Sequence, residues 1–304
     1  MKFQNKQKIS AKIIEFTEQN LSRHVEMLSG IIGPRNLVQY DNLMAAADYI
    51  VRVGSDYSQQ PQVQRYFCEE RRVQNIIFEK RGEAGPEEII IVGAHYDTVL
   101  DSPGADDNGS GVAALLELIR LLQSYDNRRT FRFVAFTLEE PPFFNTEQMG
   151  SWRYARQCSL NKDKILAMMS LEMLGYFTDE PMSQEYPIRE MLFAYPERGN
   201  FIGVVGNRES AKLTNSFSNF LKEAALIKVE TLISDAEVPG VDLSDHASFW
   251  KFGYPALMVT DTAFFRNPYY HTAKDTADRI NFKKFTNLVH ALEFALKRLD
   301  RLEL

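Results

Sequence analysis

The stretch that most constrains the fold is residues 89–122, IIIVGAHYDTVLDSPGADDNGSGVAALLELIRLL. Its apolar run, 89–94, is too short for an ordinary helix and rich in β-branched residues, so it predicts a strand buried on both faces. The run ends in His95-Tyr96-Asp97, passes through a turn-rich loop over 101–111, and continues with apolar residues at helical spacing (Val112, Leu115, Leu116, Ile119, Leu122). A strand feeding a loop and then a helix puts the loop at the carboxyl edge of a sheet, where open α/β proteins hold their ligands. That loop gathers Asp97, Asp101, Asp106 and Asp107 beside one histidine. Such a cluster repels itself unless something compensates it, and a bound cation is the simplest remedy.

The rest of the chain extends this pattern. Helical periodicity is predicted over 8–31 and 38–53, broken by Gly33-Pro34, and strands over 62–68 and 72–79. Further strands are predicted at 130–137, 165–171, 201–205, 229–233 and 255–259. Helices follow at 210–225 and, as a long amphipathic segment with a basic outer face, at 282–302. Strands alternating with helices predict an α/β fold: a mainly parallel mixed β-sheet sandwiched between helices. With no repeats, low-complexity tract or linker, residues 1–304 read as one domain. The long connections 175–200 and 234–245 are of the kind that shape sites, and the aromatic content of the first predicts an ordered rim.

Composition narrows the function. A net charge of −6 with no dense Lys/Arg run argues against a nucleic-acid partner. No segment is long and apolar enough to span a bilayer, and the start lacks an apolar stretch of signal-peptide length. The expectation is a cytoplasmic protein, or a secreted one if a leader has been trimmed. Cys68 and Cys158 stand far apart and form no CxxC pair, so free thiols are expected.

Several side chains invite chemistry, and each has a plainer reading. Residues i and i+2 of a strand face the same side, so Asp97 could orient the imidazole of a metal-bound His95; alternatively His95 is simply satisfied by a carboxylate. In the loop Gly104–Gly111 an acidic helix cap would explain one Asp, not two adjacent ones. Glu139-Glu140 follows a strand and precedes Pro141-Pro142, which is expected to hold the backbone extended. Neighbouring residues then point apart, so one Glu can bind metal while the other faces substrate. Glu172 ends another strand, and His271 follows the last one. Ser244-Asp245-His246 suggests a serine triad, but no GxSxG elbow accompanies it, and Asp245 is expected to cap a short helix. Together His95, Asp107, Glu140, Glu172 and His271 form a nitrogen and oxygen donor set without thiolate, suited to zinc and also to cobalt or manganese.

Taken in order, VGAHYDTV, SPGADDNGSG, EEPPFF, SLEMLGY, SDHASFW and YHTAKDT, with the Ile32–Arg35 region before them, resemble metallopeptidase family twenty-eight, the co-catalytic di-zinc aminopeptidases. The resemblance covers nearly the whole chain. It implies that His95, with Asp97 behind it, and Glu172 serve a first zinc, that Asp107 bridges two metals, and that Glu140 and His271 hold the second. It further implies Glu139 as general base, Tyr270 as the group steadying the tetrahedral intermediate, and a cis bond after Asp107. Many members carry Asp where this chain has Glu172. The substrate implied is a peptide with a free amino terminus. The site-loop aromatics Phe143, Phe144, Tyr176, Phe177, Phe264, Phe265 and Tyr269 are expected to divide between core packing and an apolar pocket favouring Leu, Met or Phe. Three other readings share the constellation: a single-zinc glutaminyl cyclase, a deacylase or carboxypeptidase using Arg266 for a carboxylate, and a catalytically silent binding module. The oligomeric state is left open.

Overall fold

A computed structural model describes residues 9–58, 60–235 and 237–302. The first residue of the helix predicted over 8–31 and position 236 of the second long loop lie outside them. The helices are α1 (Ala11–Val25), α2 (Tyr40–Ser55), α3 (Gly111–Leu122), α4 (Gly150–Asn161), α5 (Ala211–Ala224), α6 (His246–Lys251) and α7 (Phe282–Arg301). The strands are β1 (Gln62–Cys68), β2 (Arg71–Lys80), β3 (Gly85–His95), β4 (Arg129–Phe136), β5 (Lys164–Glu172), β6 (Ile202–Gly206), β7 (Val229–Ile233) and β8 (Ala256–Thr260). Among the described residues no helix is long and apolar enough to cross a membrane.

Local chemistry sets several boundaries. Ser10 caps α1 by accepting from the Ile13 amide, and Asn281 caps α7 by accepting from the Lys284 amide. The helix predicted over 8–31 stops being α-helical at Val25 and ends in a wider π turn over Glu26–Ile32. β1 and β2 join through Glu69 and Glu70, both at positive φ (46° and 63°), the backbone form a two-residue hairpin turn demands.

The eight strands form one sheet in the order β1-β2-β4-β3-β5-β8-β6-β7. β4, β3, β5 and β8 run parallel, so their carboxyl ends share one edge. β2 and β6 lie antiparallel to their inner neighbours, while β6 and β7 are parallel to each other. The mixed, mainly parallel sheet of the expectation is therefore present. Alternate residues of β3 serve its two layers. Ile90, Val92 and Ala94 join the large core that includes α1, α2, α3, α5 and α7 residues, while Ile89 and Ile91 join Tyr154, Ala155 and Phe249 from α4 and α6. Cys68 and Cys158 are free and buried. Helix α4 was not anticipated: its buried residues are only Gly150, Ser151, Tyr154, Ala155 and Cys158, too few apolar ones to write a helical stripe.

Candidate active site

The carboxyl edge of β3, β4, β5 and β8 carries the candidate donors. His95 is the last residue of β3, Glu172 the last of β5, and Glu139 and Glu140 follow β4 by three and four residues. His271, at φ 56°, lies beyond β8. Asp107 sits between β3 and α3, in a loop held from several sides. The buried Arg35 donates to the carbonyls of Tyr96 (2.8 Å), Leu28 (2.9 Å), Gly33 (3.1 Å), Pro103 (2.7 Å) and Gly104 (3.0 Å). Burial lowers its pKa to about 10, so it keeps its charge at neutral pH. Asn108 ties the loop to the end of β5, accepting from the Gly111 and Met173 amides and donating to the Leu171 carbonyl. Only glycine fits at 111, where a Cβ would stand 2.5 Å from the Leu171 carbonyl oxygen. The Asp107–Asn108 bond is cis.

The five donors fall into two groups that share Asp107. His95 Nε2 lies 3.5 Å from Asp107 Oδ1 and 3.4 Å from Glu172 Oε2. His271 Nε2 lies 3.2 Å from Asp107 Oδ2 and 3.2 Å from Glu140 Oε2. Donor atoms of His95, Asp107 and Glu140 all lie within 4.8 Å of one another. Two atoms each about 2.0–2.1 Å from one tetrahedral ion are separated by about 3.3 Å, close to these distances. His95 Nε2, His271 Nε2 and Glu140 Oε1 are buried without a hydrogen-bond partner, which a cation between them would relieve. The residues present therefore fit a metal site.

The electrostatics point the same way. Burial, then the charge of Asp107, pushes Glu140 up to about 8. Burial also pushes Glu139 well above the ordinary carboxylate range, with Glu172 and Glu140 adding to it. Burial alone would lower His271, yet the Asp107 and Glu140 carboxylates 3.2 Å from its Nε2 raise it to about 10. For His95, likewise, the charges of Glu172 and Glu139 outweigh burial and raise it. Protons are thus drawn into a pocket overloaded with negative charge, the place a cation would take. Glu139 Oε2 stands 3.8 Å from His95 Nε2, and its carboxylate makes no side-chain hydrogen bond among the described residues. The Tyr270 ring stacks on the His271 ring at 3.7 Å. Burial and the charges of Asp107, Glu140, Glu139 and Glu172 raise its pKa, so the phenol remains a hydrogen-bond donor.

Four expectations change. Asp97 does not hold the imidazole with its carboxylate: His95 Nδ1 donates to the Asp97 backbone carbonyl at 3.2 Å, and the Asp97 oxygens accept from the Glu139 (3.1 Å) and Glu140 (3.0 Å) amides. Two amides in line make a better bidentate partner than a ring nitrogen 3.6 Å away. Pro141–Pro142 is cis and turns the chain rather than extending it. Asp245 caps nothing with its side chain; it is buried with both oxygens unpartnered, and burial pushes it up to about 7. Arg266 is 6% exposed, its Nε donating to Gln184 Oε1 and its Nη1 to the Phe201 carbonyl while Nη2 is buried without a partner, so the guanidinium is enclosed by the protein rather than presented to a substrate carboxylate.

Sequence reading missed Asp275, which accepts from the Asp106 (2.9 Å) and Asp107 (3.0 Å) amides. Its one signal was its place in HTAKDT, four residues after His271. Arg35 and Asp245 lay in motifs noted without these contacts. Of the expected pocket aromatics only Phe264 and Phe265 line the cavity beside the donors. Phe177 is in the core, Phe143 packs against it, and Tyr176 and Tyr269 meet edge to face at 6.2 Å.

A model of peptidase family M28 matches residues 75–294, which span the strands and loops just described. The chain belongs to this family. One relative, the uncharacterized protein YfbL of Escherichia coli, is 38% identical over 89% of this chain and 85% of its own length. The probable aminopeptidase YDR415C of Saccharomyces cerevisiae is 28% identical over 72% of this chain and 55% of its own. A probable leucine aminopeptidase of Arthroderma otae is 29% identical over 69% and 52%. The chain thus spans about half the length of these two fungal relatives. Two solved structures share the fold. The zinc aminopeptidase of Bacillus subtilis superposes with a TM-score of 0.76 at 16% identity over 95% of this chain and 97% of its own. The glutaminyl cyclase of Porphyromonas gingivalis gives 0.69 at 18% over 94% and 98%.

Proposed function

We propose that this family member is a metal-dependent aminopeptidase that removes the first residue of peptides using two zinc ions. His95, Asp107 and Glu172 would hold one ion, and His271, Asp107 and Glu140 the other, with cobalt or manganese as substitutes. The observation that carries this reading is Asp107, whose two oxygens each face a different histidine, at 3.5 Å and 3.2 Å. One shared carboxylate with a full donor group on each side favours a metal pair over the single ion of a cyclase, and the relatives' names favour aminopeptidase. Retention of both groups and of Glu139 also disfavours a silent binding module.

When bound, the metal pair would polarise the scissile carbonyl and make water acidic enough to attack near neutral pH. The chain supplies the rest. Glu139, free of side-chain hydrogen bonds and raised by burial, takes the attacking water's proton and hands it to the leaving amine. Asp97 fixes the backbone of Glu139 and Glu140 together, so base and donor keep their mutual position. Tyr270, still protonated, donates to the oxygen that becomes negative.

The test is a panel of aminoacyl fluorogenic amides, each with its N-acetylated counterpart, on metal-stripped protein with zinc, cobalt or manganese added back. The expected result is hydrolysis of the free-amine series only, reaching its plateau at two metal equivalents per chain. A plateau at one equivalent with cyclisation of glutaminyl peptides would replace this reading by the cyclase.

A further inference from the structure

A pocket opens beside the proposed cleavage site, and its far end differs from its walls. It measures about 810 Å³ with its open mouth and lies over the face of β8, β6 and β7 opposite α5. Four lining residues form a straight row across four strands, since Glu172 pairs with Thr260, Thr260 with Gly203, and Gly203 with Glu230. Three strand spacings set the Glu230 backbone about 14 Å from that of Glu172. Val205, Leu232 and Met258 give this floor an apolar surface. A Cβ at Gly203 would stand 3.4 Å from the Thr260 carbonyl oxygen, so any side chain there would fill the trough that the glycine leaves open. The roof is fixed in advance: the Glu185 amide donates to the Phe265 carbonyl at 2.7 Å, and Gln184 Nε2 to Thr262 Oγ1 at 2.9 Å.

At the far end the half-buried Glu230 carboxylate makes no ion pair or hydrogen bond among the described residues. The two nearby lysines are turned elsewhere, Lys222 to Thr231 Oγ1 and Lys228 to Asn200 Oδ1. Beside Glu230 the rings of Tyr186 and Tyr195 lie 5.7 Å apart, and its charge, after burial, helps raise both hydroxyls. An unpaired carboxylate next to two aromatic faces, reached along an apolar trough, suits a cation on an aliphatic stem.

We infer that the pocket receives the side chain of the peptide's first residue and that Glu230 selects a basic one, arginine or lysine. This rests on the aminopeptidase reading and replaces the Leu, Met or Phe preference expected from aromatic content. Citrulline, the neutral isostere of arginine, and norleucine, lysine without its ammonium group, test the charge, so zinc-loaded protein should be assayed on Arg, Lys, citrulline and norleucine amides of one fluorophore. The expected kcat/KM favours Arg over citrulline and Lys over norleucine by about ten- to hundredfold, the range for a charged hydrogen bond. Glu230→Gln should collapse both ratios to within about threefold. Equal rates on Arg and citrulline, or ratios that survive Glu230→Gln, would overturn the assignment. Binding of L-argininamide and L-citrullinamide to both proteins by calorimetry reads the pocket without turnover. If no amide is cleaved, the aminopeptidase reading falls, and the pocket is judged by whether argininamide binds more tightly and loses that advantage in Glu230→Gln.

Discussion

Two acidic pairs lie in the loops that follow two neighbouring parallel strands, β3 and β4, and they are built alike up to a point. In each, a buried aspartate grips both backbone amides of the pair: Asp275 holds Asp106 and Asp107, and Asp97 holds Glu139 and Glu140. In each, the second acid faces His271, through Asp107 Oδ2 in one and Glu140 Oε2 in the other. The first acids diverge. Asp106 accepts from the Gly175 amide, Ser110 Oγ and Asn267 Nδ2, and burial followed by the charge of Asp261 raises it well above the carboxylate range. It is spent on architecture. Glu139 has no such partners, so its lone pairs stay free for a proton. Neighbouring donors, not residue type, divide structure from chemistry here.

The largest effect should come from the acid left free. Glu139→Gln is expected to lower amide hydrolysis by about 10²–10⁴-fold, the usual worth of a general base, with melting temperature and zinc content retained. Asp106→Ala should do the reverse, costing about 1–3 kcal/mol or more in urea unfolding because several buried donors lose their acceptor. If Glu139→Gln destabilises as much as Asp106→Ala, the contrast is void.

The two clamps give the next effect. Asp275→Asn and Asp97→Asn should each weaken zinc binding by about ten- to hundredfold in chelator competition, as loss of a ligand's supporting partner does. Only Asp97→Asn should also lower kcat at saturating zinc, since only Asp97 holds the backbone of the proposed base. Equal kcat losses in both variants would make the clamps equivalent.

The smallest effect asks whether acid lability lies in these turns at all. His24, bonded to Tyr49, is lowered by burial to about 3, and burial lowers His246 to about 4. Each takes its proton in the unfolded chain first, near 6.5, so stability is full above that pH and falls as pH drops towards the folded values. Between pH 6.5 and 5.5 each histidine should cost about 1 kcal/mol. His24→Gln should remove its share from the urea midpoints of zinc-loaded protein. An unchanged slope would move the lability into the acidic turns.

How much of this was legible follows from what each signal records. Residues 89–122 combine a β-branched run, a glycine-rich turn and an apolar helical stripe, all local, and they folded as read. Helix α4 was not read because it buries one narrow side on which Tyr154 is the only large residue among Gly150, Ser151, Ala155 and Cys158. The strand order could not be read, since β6 enters antiparallel beside β8 only through contacts remote in sequence. For the candidate site, the motifs named the acids and histidines. The partner of each hydrogen bond was beyond them: Asp97 lies 42 residues from the Glu139 amide it holds, and Asp275 lies 168 from that of Asp107.

By itself the sequence determined the α/β class, the strand ends that carry His95 and Glu172, and the family, because periodicity and motif order are properties of neighbouring residues. Only the tertiary structure decided that Asp97 and Asp275 are backbone clamps, that Arg35 is consumed by carbonyls and Arg266 enclosed, and that Glu230 faces a pocket. Those are questions of which lone pair meets which donor across strands that the chain visits far apart, and burial sets their energies.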